Sequence, residues 1–380
     1  MAATRQYDNE GSHGDIINPL HTSVVDKLDP DYVAIYMKYQ ARAPRADQVP
    51  YHVYNADRAK YNFPGHLVSG ASPAVGTTKT YKVPVSDPAG EISVRVYTPI
   101  AKSATNGNLD RDGLLPVLID YHGGGFVIGN LESDDFFCRQ VCEAIGCVVV
   151  NVDYRMAPEF PHPVPATDAY AALKWVVANA EMLRVDVARV AVSGFSAGAN
   201  LAAVVAIMAR DDNSIEMAGV KLVLQVLVVP VIDARYVPFD HGELPQVNRD
   251  GVVPYESYVS CEFAPVLPLS RLVWFYRLWL GAEREVWRRN AEDWRASPIV
   301  ADNHGGLPPA SILVAEVDPL RSEGVAYHEK LLAAGTRSEI KMYTGCGHTF
   351  SHWGGQLIKG QECVDDAVAA LRDAFGSVLG

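Results

Sequence analysis

The stretch from Arg189 to Asn200, R-V-A-V-S-G-F-S-A-G-A-N, sets the strongest limit on how this chain can fold. Alternating apolar residues run into Gly194-Phe195-Ser196-Ala197-Gly198, and a small-residue helical pattern follows through Ala199, Leu201, Ala202, Ala203, Val204 and Val205. That is a strand, a sharp turn and a helix, with one serine at the apex. A serine on so tight a turn takes a strained backbone conformation, and side chains at Gly194 or Gly198 would strike the neighbouring strand and helix. The turn lifts the hydroxyl clear of the sheet, and the new helix aims its first N–H groups at whatever the hydroxyl attacks. Ser196 is therefore a candidate nucleophile. A chemically silent glycine-rich turn would read the same in isolation, so the surrounding chain has to decide.

From Leu115 onward, continuous apolar strands alternate with helices. The strands read as Pro116 to Tyr121, Cys147 to Val152, Val190 to Ser193, Lys221 to Val229, Ser311 to Glu316 and Glu339 to Tyr343. Helical patterns fall near Ser133 to Ile145, Thr167 to Ala178, Ala197 to Arg210, Glu323 to Ala334 and Glu362 to Phe375. Buried strands joined by helical crossovers predict an α/β fold with a mostly parallel central sheet and helices on both faces. Two alternating strands precede it, Lys79 to Val85 and Glu91 to Tyr97, joined by the hairpin signal Asp87-Pro88-Ala89-Gly90. The polar segment Ala101 to Gly113 reads as a surface loop.

Two segments do not fit this rhythm. Residues 1 to about 75 are mixed, with one helical stretch near Val33 to Arg42, and read as a segment packing over something else. Between about Ile232 and Pro298 lie Pro238, Pro245, Pro254, Pro265 and Pro268, then an aromatic helix Arg271 to Leu280 carrying Trp274, Phe275, Tyr276 and Trp279. An insertion at the carboxyl end of a strand lies over the place where open α/β sheets bind ligands. The expected organisation is a cap made of residues 1–75 and 233–297 over a catalytic domain made of residues 76–232 and 298–380. Most of the aromatic rings are expected to pack onto the sheet domain.

Two further motifs fit the serine turn. His122-Gly123-Gly124-Gly125 directly follows the strand ending at Tyr121; consecutive glycines let backbone N–H groups approach a ligand, as an oxyanion hole requires. A phosphate-binding loop is the rival reading, but Ile128 stands where it would need glycine and no Lys-Ser/Thr follows. Asp318, in E-V-D-P-L-R, and His348, in G-C-G-H-T-F, each follow a strand, in the order nucleophile, acid, histidine. Competing readings are weaker. His352 lacks the Gly-x-Gly lead-in, Glu316 lies inside a strand, and His122 is placed to orient the glycine loop; Asp153, Arg155 and Asp168 read as scaffold contacts.

With these motifs, the chain from about Leu115 to its C-terminus resembles the hormone-sensitive lipase family of α/β-hydrolases. The resemblance runs through HGGGFVIGN, D-Y-R-M-A-P-E at Asp153 to Glu159, GFSAGAN, L-P-P-A at Leu307 to Ala310, VDPLRSEG and GCGHTF. It implies Ser196 as nucleophile, His348 as base and Asp318 as acid, with the N–H groups of Gly123, Gly124 and Ala197 as the oxyanion hole, and a helical cap. It also implies carboxylester hydrolysis without a cofactor. The chain departs from the family pattern at Phe195, where an acidic residue is common, at Ala199, where a second glycine is usual, and at Ser322, where an acid commonly follows the arginine. Acyl transfer or ring closure by the same triad, and a non-catalytic ligand receptor, are the alternative functions.

Charge and composition narrow the partners. The 380 residues carry a net charge of -12, which repels polyanions and argues against nucleic acid; a small-molecule ester is the expected partner, with a homodimer the only assembly considered. No run of 18 apolar residues is present to span a bilayer, and the first residues lack the basic start and apolar core of a secretory signal, so the expected location is cytoplasmic. The six cysteines form no regular framework and are expected as free buried thiols, and no metal site is expected.

Overall fold

A computed structural model describes residues 15–61, 69–101, 113–237 and 255–376. Eight strands form one sheet: β1 (Thr77–Ser86), β2 (Ala89–Thr98), β3 (Leu115–Tyr121), β4 (Val148–Asp153), β5 (Val185–Phe195), β6 (Leu222–Val228), β7 (Ala310–Val317) and β8 (Ser338–Gly347). Their spatial order is β1-β2-β4-β3-β5-β6-β7-β8. β2 is antiparallel to both β1 and β4, and every pairing from β4 through β8 is parallel. The β1–β2 hairpin closes with Ser86 opposite Ala89, as the Asp-Pro-Ala-Gly signal predicts. β5 begins five residues earlier than its apolar run suggests, because Val185 pairs with Leu115 across a register shift.

Strand alternation divides the core. Val117, Ile119 and Tyr121 of β3, Val148, Val150 and Val152 of β4, and Val190 and Val192 of β5 belong to one buried cluster. The intervening Leu118, Val149 and Ala191 belong to the other. Successive side chains of a strand point to opposite faces, so a central strand buried on both sides is apolar at most positions, and the buried exceptions Asp120, Asn151, Ser193 and Gln225 are hydrogen-bonded. Helices α3 (Asp135–Val141) and α10 (Ile358–Gly376) cover the second cluster, while α4 (Val164–Ala178), α5 (Ala197–Asp211) and α9 (Arg321–Ala333) cover the first. The predicted helix Ser133 to Ile145 stops short at Val141 and continues as a π turn, Cys142–Gly146. α10 starts four residues earlier than the pattern indicates. All six cysteines are free and buried.

Elements outside this layered body lie against the carboxyl ends of the strands. In the N-terminal segment, α1 (Pro30–Tyr39) is capped by Asp29, whose N–H donates to Gly345 O at the end of β8, and its Tyr32 stacks on Trp353 at 4.6 Å. α2 (Tyr51–Ala56) packs Tyr54 against Trp274. Between β6 and β7, the described elements include α6 (Glu256–Ser260), α7 (Leu269–Leu280) and α8 (Arg284–Ala291). On α7, Phe275, Tyr276 and Trp279 are buried in the first core cluster and Trp274 is half-buried. Most of the loop expected at Ala101 to Gly113, and Pro238, Pro245 and Pro254 of the expected insertion, lie outside the described residues.

Candidate active site

The turn after β5 adopts the conformation that its glycines require. Ser196 has φ 56°, in the left-handed region that costs a side-chain-bearing residue free energy, and it persists because the surroundings leave no alternative. Its N–H donates to Val228 O at 2.8 Å. A Cβ built on Gly198 would lie 1.7 Å from Tyr121 O, and one on Gly194 would lie 2.2 Å from Gly198 C, so strand, turn and helix pack backbone to backbone here. This close approach seats the serine turn directly beside the chain leaving β3.

That chain is the His122-to-Gly125 loop. Gly124 has φ 115°, and a Cβ there would lie 2.0 Å from Ile128 O. His122, fully buried, places Nδ1 2.7 Å from Gly123 O; a carbonyl only accepts, so Nδ1 carries the proton and donates. Tyr154 stacks on the His122 ring at 4.4 Å and donates its hydroxyl to His122 O at 2.8 Å. Together these contacts fix the loop, and the N–H groups of Gly123, Gly124 and Ala197 are spent on no carbonyl among the described residues.

Three strand ends bring Ser196, His348 and Asp318 into one chain of contacts. His348 Nε2 lies 2.9 Å from Ser196 Oγ, and His348 Nδ1 lies 2.7 Å from Asp318 Oδ2. A carboxylate can only accept, so Nδ1 holds the proton and Nε2 is left as an acceptor for the serine hydroxyl. Asp318 Oδ1 accepts from Leu320 N–H at 2.9 Å, which fixes the carboxylate plane. Asp318 is fully buried, His348 4% exposed and Ser196 5% exposed, so water competes little for these bonds.

The competing residues have other partners. His352 Nε2 bonds Asp134 Oδ1 at 2.7 Å, not Ser196. Glu316 Oε2 accepts from Gly345 N–H at 2.7 Å and ties β7 to the end of β8 just before His348. Asp168 receives a two-pronged contact from Arg155, at 2.8 and 2.7 Å, away from the reacting groups. Among the described residues, no group of three or more His, Cys, Asp or Glu is placed to hold a metal ion.

A cavity of about 980 Å³ opens beside this constellation, floored by Gly123, Gly124, Phe195 and Val228 and walled by Val266, Arg271 and the N-terminal segment. Three residues have roles that the sequence alone does not disclose. Phe195 takes the place of an acid; its ring lies where a Cβ on Gly123 would come within 2.5 Å, and it reaches His348 and His352 at 5.2 and 4.2 Å. Arg271 is buried at the head of the aromatic helix, and a charge on the apolar face of such a helix was its signal. Glu323 is fully buried; it accepts from the N–H groups of Ile232 and Asp233 at 2.7 and 2.8 Å and from the Tyr258 hydroxyl, and burial pushes its pKa up to about 8. It fixes the chain leaving β6 and α6 together.

Comparison with known proteins fits this geometry. The family described as the α/β-hydrolase fold matches residues 118–352. An AB hydrolase superfamily protein of Schizosaccharomyces pombe is 34% identical over 94% of this chain and 97% of its own. Carboxylesterase NlhH of Mycobacterium tuberculosis is 34% identical over 75% and 79%, and an ethyl acetate hydrolase of Pseudomonas putida 29% identical over 91% and 98%. Among solved structures, a thermostable carboxylesterase cloned from a metagenomic library is 36% identical with a TM-score of 0.69, covering 86% of this chain and 98% of its own. A bacterial heroin esterase is 29% identical with a TM-score of 0.75, covering 92% and 98%. With the matched family spanning well over half of its length, the chain belongs to the α/β-hydrolases, in their hormone-sensitive lipase-like branch.

Proposed function

We propose that the protein is a serine carboxylester hydrolase acting through an acyl-enzyme. The observation that carries this reading is the unbroken path from Ser196 Oγ to His348 Nε2 at 2.9 Å and from His348 Nδ1 to Asp318 Oδ2 at 2.7 Å, beside a glycine loop with unspent N–H groups. His348 takes the Ser196 proton as Oγ attacks the ester carbonyl, and Asp318 stabilises the imidazolium. The N–H groups of Gly123, Gly124 and Ala197 receive the developing oxyanion. As the ester C–O bond breaks, the imidazolium gives its proton to the departing alcohol. Water, deprotonated by the same histidine, then attacks the acyl-serine carbonyl and releases the acid.

The reading extends to the architecture. The described parts of residues 1–75 and 233–297 support the expected cap over the catalytic body through the contacts of α1, α2 and α7 at the carboxyl ends of the strands. The substrate is a small or medium ester, which a cavity of about 980 Å³ can accommodate. Among the described residues no helix is long and apolar enough to cross a membrane. Six buried free thiols fit a reducing compartment and support a cytoplasmic location. No observation in the site favours acyl transfer, ring closure or a binding-only role.

The test is labelling with a fluorophosphonate followed by peptide mapping, together with hydrolysis of p-nitrophenyl esters of graded chain length. The expected adduct lies on Ser196, and Ser196→Ala abolishes both labelling and turnover. An adduct on another serine, or turnover surviving in Ser196→Ala, would overturn the assignment.

A further inference from the structure

The cavity beside the glycine loop is lined by a buried arginine, Arg271, whose described counter-ion is shared. Arg271 is 9% exposed and sits on α7 one helical turn before Phe275, whose ring packs so closely on Gly125 that a Cβ there would come within 2.3 Å. The guanidinium carbon lies 5.4 Å from the centre of the Phe275 ring. Arg271 and Gly124 both line the cavity, so a molecule whose carbonyl enters the glycine loop shares that cavity with this arginine.

The hydrogen-bond account of Arg271 is incomplete. Nη1 donates to Val266 O at 2.7 Å. Nε pairs with Asp47 Oδ1 at 3.1 Å without hydrogen-bond geometry, and among the described residues no hydrogen bond is made by Nη2. Asp47 is already held by Arg45, whose Nε and Nη2 reach its two oxygens at 3.2 and 3.1 Å. Two guanidiniums therefore share one carboxylate. Burial works against the charge on Arg271 and Asp47 offsets it only in part, while Arg45 opposes it further. Arginine does not discharge in proteins; with one carboxylate shared by two guanidiniums and no hydrogen bond at Nη2 among the described residues, the site can take a second anion. The other acids that line the cavity among the described residues are engaged elsewhere: Glu132 and Asp135 pair with Arg95, Asp134 bonds His352, and Asp120 accepts from Ser193.

We propose that Arg271 binds an anionic group on the substrate, so that the protein acts on esters carrying a carboxylate several bonds from the scissile carbonyl. The guanidinium fork matches a carboxylate with two parallel N–H donors. Val266, with φ 67°, holds one of those nitrogens through its carbonyl and so sets the fork's orientation. The inference rests on ester hydrolysis at Ser196, since it names the substrate class for that site.

The experiment compares kcat/KM at neutral pH, by proton release, for monoethyl glutarate, monoethyl adipate and 4-acetoxybutanoate against the neutral ethyl esters and acetates of matching length. The wild-type protein is expected to favour at least one anionic ester by on the order of tenfold or more. Arg271→Gln should collapse that ratio to about one or below, and Arg271→Lys, which keeps the charge without the fork, should leave it intermediate. Asp47→Asn, which removes the competing counter-ion, should raise it, and this variant carries the test if Arg271→Gln does not fold in a thermal melt. A wild-type protein that hydrolyses the neutral esters with no anionic preference would overturn the proposal while leaving the esterase reading intact. So would a preference that survives Arg271→Gln, or one that Asp47→Asn lowers or leaves unchanged. Failure of the esterase reading is a separate result: no ester of either kind is turned over and Ser196 takes no phosphonate label.

Discussion

Replacing Asp318 by asparagine keeps the size of the side chain and changes what one of its two outer atoms can do. In the native protein both oxygens accept, Oδ2 from His348 Nδ1–H at 2.7 Å and Oδ1 from Leu320 N–H at 2.9 Å. Asparagine can satisfy only one of these. If its oxygen keeps the Leu320 N–H, its NH2 group faces Nδ1, forces the imidazole proton onto Nε2, and turns the intended base into a donor toward Ser196 Oγ. If the amide flips, two donors meet at Leu320 inside a fully buried site, where an unmade bond costs about 1–3 kcal/mol. Either way the imidazolium loses its counter-charge in the transition state. The expected loss is about 10⁴ in kcat, or about 5 kcal/mol of barrier. Glu316→Gln is the control, because its amide oxygen can still accept from Gly345 N–H and its expected loss is below about threefold. The assay is kcat on p-nitrophenyl butyrate at saturation for both variants, with circular dichroism and a thermal melt to confirm folding. A folded Asp318→Asn protein within tenfold of wild type, or a larger loss from Glu316→Gln, would refute the reasoning.

Two other outcomes follow from the geometry. Gly198→Ala should abolish activity and cost about 3 kcal/mol or more in a urea melt, because its Cβ would sit 1.7 Å from Tyr121 O, whereas Gly376→Ala, whose Cβ would meet nothing within 4 Å among the described residues, should be near neutral. Glu323, raised to about 8 from an unfolded value of 4.5, binds a proton in the native state that the unfolded chain has released between those two values. Stability should therefore be fully present below about pH 4.5 as far as this group is concerned, and fall as pH rises toward about 8; Glu323→Gln should flatten that decline, read as unfolding free energy across the window, by up to a few kcal/mol. A decline unchanged in Glu323→Gln would assign it to other groups.

What the sequence discloses and what it hides divide along a physical line. The central strands were legible because a strand buried on both faces is apolar at most positions, and the serine turn was legible because backbone-to-backbone contact at Gly194 and Gly198 admits no side chain. The positions of Asp318 and His348 past their strands could be read from motif order. The order of strands in the sheet could not, since the apolar runs of β3 and β4 look alike. Phe195 was noticed as a departure, but its ring's contact with Gly123 and His352 joins segments far apart in the chain. Arg271 was hidden for a related reason: its shared counter-ion Asp47 lies in the N-terminal segment, and no local pattern links the two. Likewise the early start of β5 depends on a partner, Leu115, that only the fold supplies.

The six buried cysteines give the molecule a set of internal clocks. Burial pushes Cys147 and Cys346 up to about 12, and the others are raised for the same reason, so an alkylating reagent meets almost no thiolate while the protein is closed. Each modification then records an opening of the element that covers the thiol, and mass spectrometry can sort the records by position. Cys261 reports on the segment following α6, Cys346 on the carboxyl end of β8 two residues before His348, and Cys147 on the start of β4. Movement over the reacting groups can thus be timed separately from breathing of the sheet, in the unmodified protein and without an added probe.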